Sequence, residues 1–425
     1  MRPLAIDGGS PVRRASFPEH NSIGVEERDA VLEVLDRGVL SQFVGVWGPD
    51  FFGGPKVRQL ESAWGEYFGV RHAVSMNSAT SGLYAAVGAA GVGPGDEVIV
   101  SPYTMSASAA AAVVYGATPV FADIEPETFC LDPESVRSRL TERTKAIIAV
   151  DLFGHPAQWK RLRQVVDGRG IVLIEDAAQA PGARIAGKYA GTFGDIGVFS
   201  LNYHKTIHCG EGGVVVTDDD DLAERLQLIR NHGEAVVKAK GTTRLDNLVG
   251  FNYRMTEIEA AIAAEQLKKL ERLLAPRLEA AAFLTERLAR IPGITPPVVR
   301  EQVRHGYYVY PIRYDADTLG WPRERFAAAL VAEGIPIKSG YVEPLYRQPM
   351  YRRGIGFGPN GFPFRRADGT TVEYPDGLCP VTERMHEEEL LYLTTIHAGM
   401  TPADLRDIVT AFDKVAAWVG REVAV

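Results

Sequence analysis

The chain has 425 residues, of which 46% are hydrophobic and 24% charged, so it can bury the cores of two or three domains. Its formal net charge of −8 argues against nucleic acid as the main partner. The longest run of small apolar residues, Ala107 to Tyr115, is too short to span a bilayer. We therefore expect a globular protein that works without nucleic acid and without a membrane.

Three unevenly spaced cysteines, Cys130, Cys209 and Cys379, form no CxxC motif. They give no disulfide framework and suit a reducing compartment, and the N-terminus lacks the apolar core of a signal peptide, so we expect a cytoplasmic protein. The acidic run 218–221 predicts a strand-to-helix turn rather than a metal site. Only one side chain in two or three could converge on an ion there, so we expect no metal.

An extended arm and a short helix, Val25 to Arg37, are predicted first. From His72 onward apolar strands alternate with helices, which predicts βαβ units and an α/β fold with helices on both faces of a mostly parallel sheet. The seven predicted strands are His72–Met76, Glu97–Ser101, Pro119–Asp123, Ala146–Asp151, Val172–Glu175, Gly197–Ser200 and Gly213–Thr217. The last two are separated by too few residues for a crossover helix, so we expect them to be antiparallel neighbours.

Small and hydroxyl residues follow the first predicted strand, in Asn77-Ser78-Ala79-Thr80-Ser81-Gly82. At the N-terminus of a helix such residues offer free backbone N–H groups and a favourable dipole to a phosphate. The alternative is an ordinary helix cap, because Ser and Thr are common at that position. The segment alone leaves both open.

Two carboxylates, Glu175 and Asp176, follow the apolar run Ile171-Val-Leu-Ile174. In open α/β sheets, ligands bind outside the carboxyl ends of the strands. A carboxylate there could pair with a protonated ring nitrogen, which is the partner that pyridoxal phosphate requires. The alternative is that both residues begin a turn or a helix.

Lys205 lies between the last two predicted strands, in Ser200-Leu-Asn-Tyr-His-Lys205-Thr-Ile-His-Cys-Gly210-Glu-Gly-Gly213. A lysine between two buried strands is placed to form a Schiff base with an aldehyde cofactor, since desolvation lowers the pKa of an amine and makes it nucleophilic. The alternative is a surface lysine between glycine turns. The upstream carboxylates favour the first interpretation.

A capping box, Thr256-Glu-Ile-Glu259, opens a long helix that Pro276 is expected to kink or break before the helix resumes to Ile291. We place a domain boundary there, which gives an arm with a short helix (1–35), a large cofactor-binding domain (36–275) and a smaller C-terminal α+β domain (276–425). The last contains predicted elements at Tyr307–Arg313, Arg323–Ala332, Ile335–Ser339 and Ala403–Val419. The composition of residues 352–377 indicates a long inserted loop. Loops of this length are often functional.

The order of these motifs resembles that of the DegT/DnrJ/StrS family of sugar and cyclitol aminotransferases, which are fold type I enzymes with pyridoxal phosphate. The resemblance extends from Gly38 to Val419. It is carried by Asn77-Ser-Ala-Thr80, Pro119-Val-Phe-Ala-Asp-Ile124, Glu175-Asp-Ala-Ala-Gln179, Gly194-Asp-Ile-Gly-Val-Phe-Ser200, Lys205 with Gly210-Glu-Gly-Gly213, and Gly250-Phe-Asn-Tyr-Arg254-Met.

The resemblance implies two catalytic residues. Lys205 would hold the cofactor as a Schiff base and then move protons as general acid and base. Asp176 would pair with the pyridinium nitrogen, and Gln179 would hydrogen-bond the phenolic oxygen of the ring. The expected reaction is ping-pong transfer from L-glutamine or L-glutamate through pyridoxamine phosphate to a ketone.

The resemblance also implies a phosphate site and an oligomer. Ser78, Ala79 and Thr80, together with Ser200, would bind the phosphate of the cofactor. Asn252 would reach the phosphate held by the other subunit, so the active site would need a homodimer.

The chain departs from the family pattern at several positions. Met105 stands where an aromatic residue is usual, so a thioether would face the cofactor ring, or Tyr103 would if the alignment shifts. Asp151 stands where histidine is common before Leu-Phe-Gly, and Tyr346 stands where many members carry histidine. A dehydratase branch replaces the lysine with histidine, but here Lys205 keeps the spacing.

The acceptor is predicted only as a class. The N-terminal sequence and the loop 352–377 resemble the branch that acts on cyclitol ketones in aminoglycoside pathways, and nucleotide-linked keto-sugars stay open. Candidate substrate contacts are Tyr341, Tyr346, Arg254 and His397. Each has a structural alternative, namely a packed tyrosine, an interface arginine or a capping histidine.

Three functions are left open by the sequence. The first is a transaminase that makes an amino-sugar or amino-cyclitol. The second is a lyase, dehydratase or aromatising synthase with the same cofactor. The third is a regulatory protein that keeps the fold without catalysis, which the intact lysine, carboxylate and phosphate segment disfavour.

Overall fold

A seven-stranded sheet forms the centre of the protein in a computed structural model that describes residues 3–366 and 369–422. The strands are β1 (His72–Met76), β2 (Glu97–Val100), β3 (Thr118–Phe121), β4 (Thr144–Val150), β5 (Val172–Asp176), β6 (Arg184–Ile185), β7 (Lys188–Tyr189), β8 (Ile196–Ser200), β9 (Gly213–Thr217), β10 (Ile294–Thr295), β11 (Val303–Arg304), β12 (Tyr310–Tyr314), β13 (Lys338–Ser339) and β14 (Leu390–Leu393). The helices are α1 (Val25–Arg37), α2 (Pro55–Phe68), α3 (Ala79–Ala89), α4 (Ser106–Val114), α5 (Pro133–Arg139), α6 (Trp159–Val166), α7 (Asp220–Arg230), α8 (Gly233–Lys240), α9 (Glu257–Leu288), α10 (Ala316–Leu319), α11 (Arg323–Ala332), α12 (Pro349–Arg352), α13 (Pro380–Arg384) and α14 (Pro402–Glu422).

The order of the central sheet is β1-β9-β8-β5-β4-β2-β3. Strand β9 is antiparallel to both of its neighbours, β1 and β8, and the other pairs are parallel. Successive side chains of a strand face opposite sides of the sheet. Val198 packs with α3 and α7 on one side, and Phe199 packs with α2 and α9 on the other. This arrangement confirms the predicted α/β fold, its single antiparallel strand and its helices on both faces.

The long helix α9 begins where the sequence predicts, because Thr256 and Glu259 form the capping box. Of the kink or break expected at Pro276, the break is wrong, since α9 continues through the proline to Leu288. Proline removes one backbone N–H, but packing on both sides of it holds the helix together. Leu274 lies in the core under the central sheet, and Leu284 lies in the core of the C-terminal sheet.

The C-terminal part contains an antiparallel sheet of order β10-β12-β14-β13. Helices α11 and α14 pack on it through Phe326, Leu330, Ile408 and Phe412. Leu4 of the N-terminal arm is buried in the same core. The predicted strand Tyr307–Arg313 starts later, at Tyr310, because Tyr307 adopts a positive φ of 47° that an extended strand does not accommodate.

The inserted loop 352–377 packs on the core of the central sheet in its described part. Phe364 and Tyr374 are buried there, and the Tyr374 hydroxyl donates to the Pro119 carbonyl at 2.7 Å. Arg366 forms an ion pair with the buried Glu97. The loop is therefore anchored by its own apolar and charged side chains.

The acidic run 218–221 forms the predicted turn into α7, where Asp219 caps the helix by accepting from the backbone N–H of Leu222 at 2.9 Å. Within the described ranges, no cluster of three or more His, Cys, Asp or Glu side chains could hold a metal ion. No helix in the same ranges has the length and apolar character needed to cross a membrane.

Candidate active site

A cavity of about 220 Å³ opens at the carboxyl ends of the parallel strands. Residues that follow β1, β2, β5 and β8 converge on it, as the topology of an open α/β sheet requires. Its lining includes most of the residues that the sequence singles out, namely Ser78, Ala79, Thr80, Met105, Asp176, Gln179, Ser200, Lys205 and Tyr341.

Lys205 lies in the loop between β8 and β9 with 9% of its surface exposed. Burial lowers the pKa of its amine to about 8, and the negative charge of Asp176 opposes that shift. Its Nζ lies 4.4 Å from the centre of the Tyr308 ring. The amine is thus held in a dry site with a part of its population unprotonated near neutral pH.

Asp176 ends β5 and is buried at the base of the cavity. Its Oδ2 accepts a hydrogen bond from the Ser108 hydroxyl at 3.1 Å, and its Oδ1 accepts from the backbone N–H of Ala178 at 3.1 Å. Burial raises the pKa of the carboxyl group, while these two donors and the charge of Lys205 lower it. The carboxylate therefore gains from a cationic partner in the cavity.

Gln179 is held by hydrogen bonds at both ends of its amide. Its Oε1 accepts from the backbone N–H of Phe153 at 2.8 Å, and its Nε2 donates to the Tyr341 hydroxyl at 3.0 Å. The backbone N–H of Tyr341 in turn donates to the Tyr103 hydroxyl at 3.1 Å. This chain of contacts fixes Gln179 and Tyr341 in the cavity wall.

The segment 78–80 begins α3 and presents the N-terminus of that helix to the cavity. The Ser78 hydroxyl caps the helix by accepting from the backbone N–H of Ser81 at 3.0 Å. Ser200, at the end of β8, also lines the cavity. Gly213 of β9 packs tightly here, since a Cβ at that position would lie 2.6 Å from the backbone nitrogen of Ala79.

The structure places Met105, and not Tyr103, in the wall of the cavity. Tyr103 is fully buried and outside the cavity, whereas Met105 is 63% exposed and lines it. The thioether is therefore the side chain at this position that a ligand in the cavity meets.

Two candidate substrate residues lie elsewhere in the chain. Tyr346 is fully buried against Phe121, and its hydroxyl donates to Glu383 at 2.5 Å. His397 is bonded through Nε2 to the Pro18 carbonyl at 2.9 Å, so it fastens the N-terminal arm. The structure brings neither of them to the cavity, because both are occupied by packing that the sequence does not reveal.

Asn252 and Arg254 also lie outside the cavity of their own chain. The Asn252 amide oxygen accepts from Nε of Arg254 at 2.8 Å, and the Asn252 side chain is exposed. The exposed position of Asn252 agrees with its predicted role toward a second chain.

Sequence reasoning did not assign five polar lining residues to the site, namely Thr104, Asn202, His204, Glu211 and Tyr308. Tyr308 stayed hidden because it falls in a predicted strand that in fact begins at Tyr310. Asn202, His204 and Glu211 belong to the lysine loop, whose unusual composition was the available signal. Burial lowers the pKa of His204, and the charge of Lys205 lowers it further.

A larger, open depression of about 840 Å³ lies at the other end of the sheet, near Asp218 and Arg244. It is lined by the amino ends of parallel strands and by the acidic turn before α7. None of the residues predicted for the site lies there. We therefore assign the chemistry to the smaller cavity, where the lysine and the buried carboxylate meet.

The lining residues fit pyridoxal phosphate. Asp176 offers a buried carboxylate for the pyridinium nitrogen, Lys205 offers an amine with a lowered pKa for the aldehyde, and the N-terminus of α3 offers N–H groups for the phosphate. The cavity thus offers one chemically suited group to each of the ring nitrogen, the aldehyde and the phosphate of the cofactor.

Residues 48–413 match the DegT/DnrJ/EryC1/StrS aminotransferase family. The chain belongs to this family. It is 35% identical over 390 residues to the GDP-perosamine synthase of Caulobacter vibrioides, with 92% of this chain and 95% of that protein covered. It is 34% identical over 426 residues to the L-glutamine:2-deoxy-scyllo-inosose aminotransferase of Streptomyces kanamyceticus, with 97% and 96% covered.

Solved structures of aminotransferases share the fold over nearly the whole chain. An aminotransferase from Psychrobacter cryohalolentis is 29% identical with a TM-score of 0.82, and covers 95% of this chain and 100% of its own. The structure of DesI with its TDP-sugar product is 31% identical with a TM-score of 0.81, and covers 99% and 98%. The predicted family, the fold type, the enzyme class and the cofactor, pyridoxal phosphate, are confirmed.

In this aminotransferase the bound cofactor supplies a conjugated ring that accepts the electron pair of the amine-bearing carbon. We expect Lys205 to bind the aldehyde carbon through Nζ and, once released, to carry a proton to and from the reacting carbon. Asp176 would keep the ring nitrogen protonated, since a buried carboxylate stabilises a cation beside it. Gln179 and Tyr341 would orient the ring from the cavity wall.

Proposed function

We propose that the enzyme transfers the amino group of L-glutamine or L-glutamate to a keto-sugar or keto-cyclitol, in the biosynthesis of an amino-sugar or aminoglycoside-type metabolite. The convergence of Lys205 and Asp176 in one cavity carries this proposal. The proposed class of acceptor is supported by two relatives that span nearly the whole chain. One is named for an inosose and the other for a GDP-linked sugar.

A cyclitol ketone is our preferred acceptor. Beyond the cofactor contacts, the cavity wall presents neutral polar groups at Thr104, Asn202, Tyr308 and Tyr341, and a carboxylate at Glu211. Such groups suit the hydroxyls of a polyol, whereas a nucleotide diphosphate calls for arginine or lysine. Two further relatives that are 34% identical over 97% of this chain are also named for 2-deoxy-scyllo-inosose.

We propose a cytoplasmic homodimer with shared active sites as the working form. Exposed apolar side chains are concentrated in α1 and the segment after it, at Leu32, Leu35, Val39, Leu40, Val44 and Val46. Apolar groups at this density usually mark an interaction surface. The exposed Asn252 is then free to reach the phosphate site of a second chain. Three free, buried cysteines suit a reducing cytosol.

The test is a pair of acceptor assays with L-glutamine as the donor. The purified enzyme is given either 2-deoxy-scyllo-inosose or a nucleotide-linked 4-keto-sugar, and the product is identified by mass spectrometry. We expect an amino-cyclitol. Amination of the nucleotide sugar alone would replace the preferred acceptor. If neither acceptor is aminated, and neither is aminated when L-glutamate replaces L-glutamine, the proposal is overturned.

An aromatising synthase is the second candidate, because 3-amino-5-hydroxybenzoic acid synthase shares the fold at 26% identity with a TM-score of 0.75. The same assay separates the two, since a synthase of that kind would release water without net transfer of an amine. The retained Lys205 disfavours the branch in which histidine replaces it.

A further inference from the structure

Asp151 and Glu175 form a buried pair of carboxyl groups directly behind the cavity. Asp151 follows β4 and Glu175 lies in β5, and both are 0% exposed. The backbone N–H of Asp151 donates to the Asp176 carbonyl at 3.0 Å, which ties the two strand ends together. Ala149 pairs with Glu175 in the register of β4 and β5. Asp151 lies two residues further on, and its carboxyl group interacts with that of Glu175.

The donors around the pair determine where a proton must lie. Glu175 accepts three backbone hydrogen bonds, from Gly191 at 2.5 Å, Phe193 at 2.6 Å and Gly194 at 2.9 Å. Three N–H donors favour the ionised form of a carboxyl group. A contact between two carboxyl groups requires one proton, because carboxylates have no donor of their own.

Asp151 has one oxygen available for that proton. Its Oδ1 accepts from the backbone N–H of Ala157 at 2.8 Å and from Nε1 of Trp159 at 3.1 Å. Its Oδ2 is buried without a donor. A proton on Oδ2 that is donated to Glu175 satisfies this atom and removes one of two adjacent buried negative charges.

We propose that Asp151 is a positioning residue that stays protonated, donates a hydrogen bond to Glu175, and thereby fixes the two strand ends that present Asp176 and Gln179 to the cofactor. Asp176 follows Glu175 directly, and Gln179 is bonded to Phe153, two residues after Asp151. The proton thus joins the segments on which both cofactor contacts depend. The effect on the cofactor rests on the proposed function, and the shared proton does not.

The pair makes the fold sensitive to alkaline pH. Burial and the charge of Glu175 raise the pKa of Asp151 well above its usual value. A raised pKa in the folded state means that the stabilisation is complete at low pH and is lost as the pH rises through that value. Cys130 also faces Asp151, and burial together with Asp151 raises the pKa of its thiol.

The test compares Asp151→Asn with Asp151→Leu, which have similar side-chain volumes. An asparagine amide can donate to Glu175 at any pH, whereas leucine cannot. We expect D151N to unfold at the wild-type temperature at neutral pH and to lose less stability than the wild type at alkaline pH. We expect D151L to unfold several degrees lower at all pH values, because it removes the donor that Asp151 offers to Glu175 and leaves the N–H groups of Ala157 and Trp159 without their acceptor.

Cofactor affinity is the second readout, measured by titrating the purified chain with pyridoxal phosphate. D151N should bind it as the wild type does, and D151L several-fold more weakly. Equal pH dependence of stability in the wild type and D151N would overturn the shared proton. Unchanged affinity in a folded D151L would overturn the positioning role. Failure of the wild type to transfer an amine would count against the proposed function and leave the stability contrast intact.

Discussion

Burial and charge act on Lys205 in opposite directions. Burial lowers the pKa of the amine to about 8, and Asp176 holds it from falling further. The same pair acts on Asp176, whose pKa is raised by burial and lowered by Lys205. Each group thus shifts the pKa of the other, so a substitution at one should change the measured pKa of the other.

The first prediction concerns the rate at which the apoenzyme captures pyridoxal phosphate. Only the unprotonated amine reacts, so the rate should rise with pH and reach half of its maximum near pH 8. Asp176→Asn removes the charge that raises the pKa of Lys205, so the midpoint should move to lower pH. Stopped-flow absorbance gives both midpoints, and a midpoint near that of an ordinary lysine would contradict the account.

Some residues of the site could be predicted from the sequence, and others could not. Lys205 and Asp176 were predictable because each follows an apolar strand whose carboxyl end faces the cavity. Tyr346 and His397 were not, since nothing local reveals that Glu383 and Pro18 engage them. The role predicted for Asn252 came from the family resemblance, because nothing in the local sequence points to a second chain.

At the scale of elements, strand β9 packs through Gly213 against the predicted phosphate-binding segment 78–80. Gly213→Ala would place a methyl group 2.6 Å from the Ala79 nitrogen and displace the start of α3. We expect pyridoxal phosphate to bind at least about tenfold more weakly, equivalent to ~1.4 kcal/mol. Gly420→Ala in α14, where the added methyl meets nothing within 4 Å, is the matched control. Equal affinities in the two variants would contradict this packing.

Helix α9 yields a second prediction at this scale, because it carries Pro276 in its interior. Pro276→Ala should raise the free energy of unfolding by up to about 3 kcal/mol, since alanine restores a backbone donor and removes a steric clash. Ala275→Gly in the next position should lower it by about 1 kcal/mol. Thermal unfolding measures both, and a destabilised Pro276→Ala would show that the proline is required in α9.

The strands were the most predictable elements. β1 and β9 match their predicted bounds, because each is a short, mainly apolar segment between turn residues. The continuity of α9 through Pro276 was not predictable, since it depends on the two cores that flank the proline.

At the scale of the whole molecule, the two chains of the proposed homodimer should depend on each other. Lys205→Ala and Asn252→Ala each damage one half of a shared site. Mixed and refolded together, they should recover part of the wild-type activity, because a hybrid dimer contains one site with both residues intact. Sedimentation of the wild type should give a dimer, and a monomer or a mixture without recovery would contradict a shared site.

The central claim is that Lys205 performs a transaminase half-reaction in this cavity. Its most direct test is the visible absorbance of the purified enzyme with pyridoxal phosphate, before and after L-glutamine or L-glutamate is added. We predict a band from the lysine-bound cofactor that the donor converts to the spectrum of pyridoxamine phosphate. Lys205→Ala should abolish it, whereas the exposed Lys160→Ala should not. A band that neither donor changes, or one that survives in Lys205→Ala, would contradict the claim.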